Sequence, residues 1–366
     1  MPISPNDIPF WLGLVRFRPF GAIRLTRLEK GFPSMQKAFE APLEELILCG
    51  IEPPIAKTFC EERKNIDPQK EWVDLQTRNI HVVHYKDPLY PTLLRTIYDP
   101  PPLLFVRGSL PDPSRHTLAV VGSRHPSLYG KLVTRQLITP LAQSPLIIVS
   151  GLAYGIDALA HTITLEEKGT TVAILGSGLD EETLYPQEHL SLAKRIVDQG
   201  GAVVSEFPMG TPPLKQHFPF RNRLIAGWCQ GTLIIEANKK SGSLITARAA
   251  LDAGRDVYAV PGPITSPLSE GPNNLLKMGA IPVTEPTDIL PSLQTPAISS
   301  VAYTPSTQEE SQLLTTLSLD PKHIDVLIEE THLSSSAVSS TLTLLEMKGI
   351  IKHVGSQYYI RVSSLA

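Results

Sequence analysis

From about residue 78 to 290 one hydrophobic pattern recurs. Runs of four to six apolar, often β-branched residues end in Gly, Ser or Glu: IHVVHY, LLFVRG, LAVVGS, LIIVSG, TVAILGSG, GAVVSE, GTLIIEA and DVYAVPG. Several are followed by stretches of helical periodicity. That alternation predicts an α/β fold, a mostly parallel sheet with helices on both faces. The chain before it reads differently. Between about residues 8 and 70 apolar positions recur every three or four residues, as in AIRLTRLEKGF, MQKAFE and PLEELILCGIEPPIAKTF, which predicts helices. Gly50 sits there between apolar residues, and fits either a helix-hairpin-helix turn or an ordinary packing corner. After the sheet region, residues 291–311 are rich in Pro, Ser and Thr without a period and read as a linker. The last block, 312–366, predicts a helix, a short helix, a third helix capped around Ser334, Ser335 and Ser336 and closed by Gly349, then a hairpin around Gly355. That is a winged-helix pattern. Its third helix offers Ser, Thr and Val, with Lys348 only at its end, and the block holds four Lys/Arg against five acids. A protein-contact or scaffold role is expected of it rather than groove reading.

Composition narrows the class. A chain of 366 residues, 42% hydrophobic, has room for two or three domains. A net charge of -3 argues against a basic coat or an acidic tail protein. Cys49, Cys60 and Cys229 form no CxxC pair and no metal spacing, which suits a reducing compartment. The first twenty residues lack a basic segment followed by a clean apolar core, so no signal peptide is expected. No apolar run approaches the roughly 20 residues of a membrane helix. The expectation is a soluble cytoplasmic protein with no membrane partner.

The near-neutral total hides a divided field. Residues 215–255 carry seven Lys/Arg and two acids, and residues 156–206 carry nine acids and three bases. Such division steers a polyanion onto one face. Three glycine loops follow expected strands: VVGSR with Gly122, Ser123 and Arg124, IVSGLAYGID, and AILGSGLD. Backbone N–H groups in such loops, with the N-terminus of the next helix, can hold a phosphate. None completes the G-x-G-x-x-G fingerprint, because Glu181 stands where the third glycine belongs, so no dinucleotide cofactor is expected. The stretch FPFRNRLIAG (218–227) places Arg221, Asn222 and Arg223 between two phenylalanines and an apolar run. Arginine forks suit phosphates, and Phe218 and Phe220 either stack on bases or join the core. In ANKKSGSLITA, Ser241 or Ser243 can cap a helix preceded by Asn238, Lys239 and Lys240.

Catalytic patterns are poor. There is no G-x-S-x-G elbow, no HExxH and no Walker A motif. His81 and His84 fall on opposite faces of an expected strand and do not share a metal. Asp157 and His161, one helical turn apart, are expected to hydrogen-bond and fix the loop rather than act as an acid–base pair. Neither a catalytic residue nor a metal site is expected.

VVGSR, VSGLAYGIDALAH, VAILGSGLDEETLYPQEH, GAVVSEFPMGTPPLKQHFPFRNRLIAG, LIIEANKKSGSLITARAALDAGRDVYAVPGPI and GPNNLLKMGA, in that order, resemble the DNA-processing protein A family (DprA, also called Smf) across roughly residues 80–285. The resemblance implies an extended Rossmann-like domain, here 76–290; the helical block before it (1–75) is expected to be a SAM- or helix-hairpin-helix-like domain and the block beyond the linker (312–366) a winged helix, blocks that vary within the family. It implies binding of single-stranded DNA without cleavage, loading of RecA onto DNA in natural transformation and recombination, and a homodimer. It places the phosphate pocket at Ser123 and Arg124, at Ser150, Gly151, Leu152 and Ala153, at Arg221 to Arg223, and at Ser241, Gly242, Ser243 and Thr246, with Lys215 at its edge. The rival reading is a nucleotide phosphoribohydrolase of the lysine-decarboxylase-like group, whose PGGxGTxxE element is matched only by CQGTLIIEA (229–237).

Overall fold

The computed structural model describes residues 4–289, 305–318, 321–348, 350–355 and 357–361. Most of the expected linker, and Gly349, lie outside them. Two compact units result, Met1–Leu293 and Gln294–Ala366. The first opens with six helices, α1 (Ile8–Arg16), α2 (Gly21–Gly31), α3 (Met35–Glu40), α4 (Leu43–Leu48), α5 (Pro53–Glu62) and α6 (Pro68–Thr77). Gly50, at φ +88°, makes the turn between α4 and α5. Strands and helices then alternate: β1 (Ile80–His84), β2 (Leu103–Gly108), β3 (Thr117–Val121), α7 (Leu128–Ala142), β4 (Ile147–Ser150), α8 (Ile156–Glu166), β5 (Thr170–Ile174), α9 (Leu190–Asp198), β6 (Ala202–Ser205), α10 (His217–Trp228), β7 (Gly231–Ile234), α11 (Gly242–Asp252), β8 (Asp256–Ala259), α12 (Glu270–Lys277) and β9 (Ile281–Pro282).

The nine strands form one sheet in the order β1-β2-β6-β5-β4-β3-β7-β8-β9. From β6 to β9 all pairings are parallel. The other edge is antiparallel, with Ile80 opposite Arg107 and Phe105 opposite Ser205. A parallel neighbour needs a long crossover. The proline-rich segment 85–102 from β1 to β2 holds no α-helix to cross a sheet face, only the 3-10 turn Leu93–Thr96, and β2 runs antiparallel to β1.

Alternation along each strand sorts the core. Leu118 and Val120 face α7 and α8, packing on Leu137, Ile138, Ala160 and Ile163. Ala119 and Val121 face α10 and α11, packing on Leu224, Ile225, Ala247 and Ala250. Leu103, Phe105, Ala173 and Val203 join the N-terminal helices in a third core with Trp11, Phe17, Phe20 and Phe59. The Trp11 ring lies 4.9 Å from that of His84, and the Arg16 guanidinium donates to the Met209 carbonyl at 2.6 Å.

The chain leaves β3 towards β4, β5 and β6 and then returns to lay β7 against the other edge of β3. The helices after β3 and β7 lie on opposite faces, so the loops leaving these adjacent strands diverge. A crevice opens beyond the strand ends where the order reverses.

The second unit packs α13 (Gln308–Thr316), α14 (Ile324–Thr331) and α15 (Ser335–Met347) around Leu313, Leu327, Val338 and Leu342. Ser334 caps α15 by accepting from the Ala337 N–H. A small sheet, β10 (Lys322–His323), β12 (Tyr358–Arg361) and β11 (Ile351–His353), completes a winged helix, and Gly355 turns its hairpin at φ +100°. The exposed face of α15 presents Ser335, Ser336, Ser339, Ser340 and Thr343, followed by Leu344 and Met347.

Candidate nucleic-acid interface

The crevice is a cleft of ≈ 710 Å³. One wall is the loop after β3, with Gly122, Ser123, Arg124 and His125; the other is the loop after β7, with Asn238, Lys240, Ser241, Gly242, Ser243 and Thr246. Ala153, Lys215, Phe218, Arg221, Asn222 and Tyr185 close the ends. Ser241 caps α11: its hydroxyl oxygen accepts from the Ser243 N–H and lies 2.7 Å from the Ser243 hydroxyl. The Asn238 side chain accepts from the Lys240 N–H at 3.0 Å, and Asn222 Nδ2 donates to the Gly242 carbonyl at 3.1 Å. The α11 N-terminus is thus braced from two sides and points a favourable dipole at an anion. Gly155 precedes α8 at φ +77°, and a Cβ there would lie 2.3 Å from the Ser123 carbonyl oxygen. Glycine therefore lets the loops after β3 and β4 touch.

Under the cleft lie two buried side chains of opposite type, Arg221 and Asp157, both bonded to the backbone of Gly151. Arg221 is 4% exposed; its Nη1 donates to the Gly151 carbonyl at 2.8 Å and also to the Ile174 carbonyl. A Cβ on Gly151 would stand 2.7 Å from this guanidinium. Asp157 is buried too, and Oδ2 accepts from the Gly151 N–H at 3.1 Å. Burial raises the Asp157 carboxyl above its ordinary range, partly offset by Arg221, while burial lowers Arg221 to about 10. Arg221 is thus a cation committed to the floor of the cleft, not a free fork.

Six expected binding residues stand apart from the cleft lining. Ser150 is buried and donates to the Val120 carbonyl. Leu152 is buried in the core at φ +56°, and Gly151 faces the Arg221 guanidinium. Lys239 pairs with Glu270 at 3.1 Å. Arg223 and Phe220 turn to a second cavity of ≈ 110 Å³, shared with Arg18, Asp99 and Glu206. There Arg223 bonds Glu206 at 2.5 Å and lies 4.3 Å over the Phe220 ring. Burial, countered by Arg223 and Arg18, raises Glu206 to about 7. The reason is helical geometry. Residues 218, 221 and 222 of α10 share one side, and 220 and 223, about 200° further round, take the other.

The expected Asp157–His161 bond does not form either. His161 Nδ1 lies 2.7 Å from the Thr171 hydroxyl, which itself donates to the Ile148 carbonyl. With the threonine hydrogen committed, Nδ1 carries the proton of the histidine. Full burial lowers this histidine to about 3, and burial lowers His84 to about 4. The unfolded chain therefore binds more protons below pH 6.5, and stability present above that pH is lost as pH falls towards 3. Glu206 works in the opposite sense between about pH 4.5 and 7, so the readout is a difference. Between pH 7.5 and 5.0 wild type should lose about 2 kcal/mol more than His161→Gln, checked by urea unfolding at both pH values.

Three cations remain exposed at the rim. Arg124, Lys215 and Lys240 make no ion pair among the described residues, whereas Arg248 pairs with Asp252 and Arg255 bonds Leu93 and Thr96. The Arg124 guanidinium lies 5.7 Å from the Phe218 ring centroid. Glu236, the acid in CQGTLIIEA, is buried and accepts from the Ser127 N–H and hydroxyl at the start of α7. It is thus occupied in holding Ser127, the N-cap of α7. Among the described residues no group of three or more His, Cys, Asp or Glu is placed to hold a metal, and no helix is long and apolar enough to cross a membrane. Tyr185 and His125 line the cleft although nothing local to them in the sequence signals it.

The family model described as DNA recombination-mediator protein A matches residues 81–294, and that of the DprA winged helix domain matches 298–355. The chain belongs to the DNA recombination-mediator protein A family. Protein Smf of Escherichia coli is 42% identical over 306 residues, 81% of this chain and 81% of that relative. The X-ray structure of DNA processing protein A from Streptococcus pneumoniae matches with a TM-score of 0.65 at 35% identity, covering 80% of this chain and 99% of that one. A structure of the same family from Helicobacter pylori, described as showing a unique single-stranded DNA binding mode, matches with a TM-score of 0.51 at 27% identity, over 58% of this chain and 95% of that one. Within the family frame, the cleft at the sheet reversal is where this chain concentrates exposed positive charge and a capped helix N-terminus.

Proposed function

We propose that this chain binds single-stranded DNA by its phosphates in the cleft between the loops after β3 and β7. One observation carries the reading: Arg124, Lys215 and Lys240, three exposed cations that make no ion pair among the described residues, converge there with the capped N-terminus of α11. Each supplies what a phosphate needs, and each keeps its charge open to solvent. The cleft of ≈ 710 Å³ between the two diverging loops has room for a short stretch of one backbone, and a duplex is too bulky for it. The description of the Helicobacter pylori relative supports this choice of nucleic acid.

Bound DNA would be protected and handed to a RecA recombinase in natural transformation and homologous recombination, by a cytoplasmic homodimer that performs no chemistry of its own. These finer points rest on the family resemblance. The test is fluorescence anisotropy with a labelled oligonucleotide, single-stranded and duplex, at 50 and 200 mM salt. Single-strand preference with affinity falling at least tenfold over that range supports the reading. Equal indifference to both forms overturns it.

A further inference from the structure

The phosphate rim accounts for only part of the cleft. Its other surface is aromatic, and the sequence draws attention to Phe218 and Phe220 for that role. Phe220 faces the second cavity with Arg223 over its ring. Phe218 is half-buried, with the Arg124 guanidinium over it and Tyr185 against it. Tyr185 is the more open ring: it is 39% exposed and lines both the main cleft and a small recess shared with Arg124, Ala153, Tyr154 and Phe218.

Tyr185 is also held in place. Its centroid lies 5.6 Å from Phe218 and 6.3 Å from Tyr154, which meets it edge-on at 86°. Tyr154 is fixed by its hydroxyl, which donates to Glu188 at 2.7 Å, and by the His189 ring at 5.1 Å. His189 Nδ1 in turn donates to the Leu152 carbonyl at 2.7 Å. The chain of contacts ties an exposed aromatic face to the loop after β4, whose Ala153 closes one end of the cleft. A rigid ring beside a phosphate rim is the arrangement that stacks an unpaired base without reading its identity.

We propose that Tyr185 is the platform on which a base of the bound strand stacks, with Tyr154 as its positioning residue. This rests on the single-strand reading above, and the experiment separates the two. Anisotropy titrations would use an oligothymidine and an abasic tetrahydrofuran oligomer of equal length and charge, with wild type, Tyr185→Ala, Tyr185→Phe and Lys215→Ala. Tyr185→Ala should weaken oligothymidine binding about tenfold, Tyr185→Phe should stay within about twofold, and on the abasic strand Tyr185→Ala should match wild type. Lys215→Ala should weaken both strands by a similar factor. Loss on the abasic strand equal to that on DNA, or no loss on either, overturns the stacking role. Failure of wild type to bind either strand instead overturns the single-strand reading. Thermal melts showing an unchanged midpoint for Tyr185→Ala exclude loss through unfolding.

Discussion

Arg221→Ala should lower the stability of the first unit by about 3–5 kcal/mol, because it removes the positive charge near a buried carboxyl and the donor of two buried carbonyls. Asp157 would remain buried without its counter-charge, and the carbonyls of Gly151 and Ile174 would each lose a donor. At about 2–4 °C per kcal/mol, the midpoint should fall by roughly 10 °C. Circular dichroism melts check it. An unchanged midpoint with lost DNA binding would instead show that the guanidinium is presented to the ligand. Arg221→Lys should recover part of the loss, because the charge returns without the planar fork that reaches the carbonyl of Gly151.

The second large effect lies at the rim and leaves the fold alone. Arg124→Ala/Lys215→Ala/Lys240→Ala should lose about 100-fold or more in affinity for single-stranded DNA at low salt. Its salt dependence should be shallower by about 2 in log–log slope, three phosphate contacts at about 0.7 each. The melting midpoint should hold, since all three side chains are exposed and make no ion pair among the described residues. The steep comparison is between the two variants. One should lose stability and binding together, the other binding alone.

That contrast also marks how far the sequence could be read. The eight strand runs from IHVVHY to DVYAVPG all became strands, because short apolar runs closed by turn residues have few other uses. The winged helix was legible from its run of three helices, the serine cap ahead of the third and the glycine of its hairpin. The two-residue strands β9 and β10 were not, being too short to carry a period, and the antiparallel edge depended on a connection whose length says little about its course. Within the cleft, the glycine loops and the cap at Ser241 were visible as local chemistry. The roles of Arg221 and Arg223 were not. Read as a ribbon, FPFRNR offers two equivalent forks. Wound into α10, it sends one under the cleft and the other to Glu206. Likewise Asp157 and His161 sit one turn apart, yet each found a nearer partner on a neighbouring strand or loop. Tyr185 reaches the cleft only through the topology of the sheet.

The shared core under the N-terminal helices bears on where this molecule can be divided. The family model begins at residue 81, inside β1. The packing does not respect that line: Leu103, Phe105 and Val203 are dry because Trp11, Leu14 and their neighbours cover that side of the sheet. Cutting the chain ahead of β1 would bare an oily flank rather than release an independent module. For anyone making shortened versions, the helices are better regarded as roofing than as an attachment, and a soluble fragment should keep them.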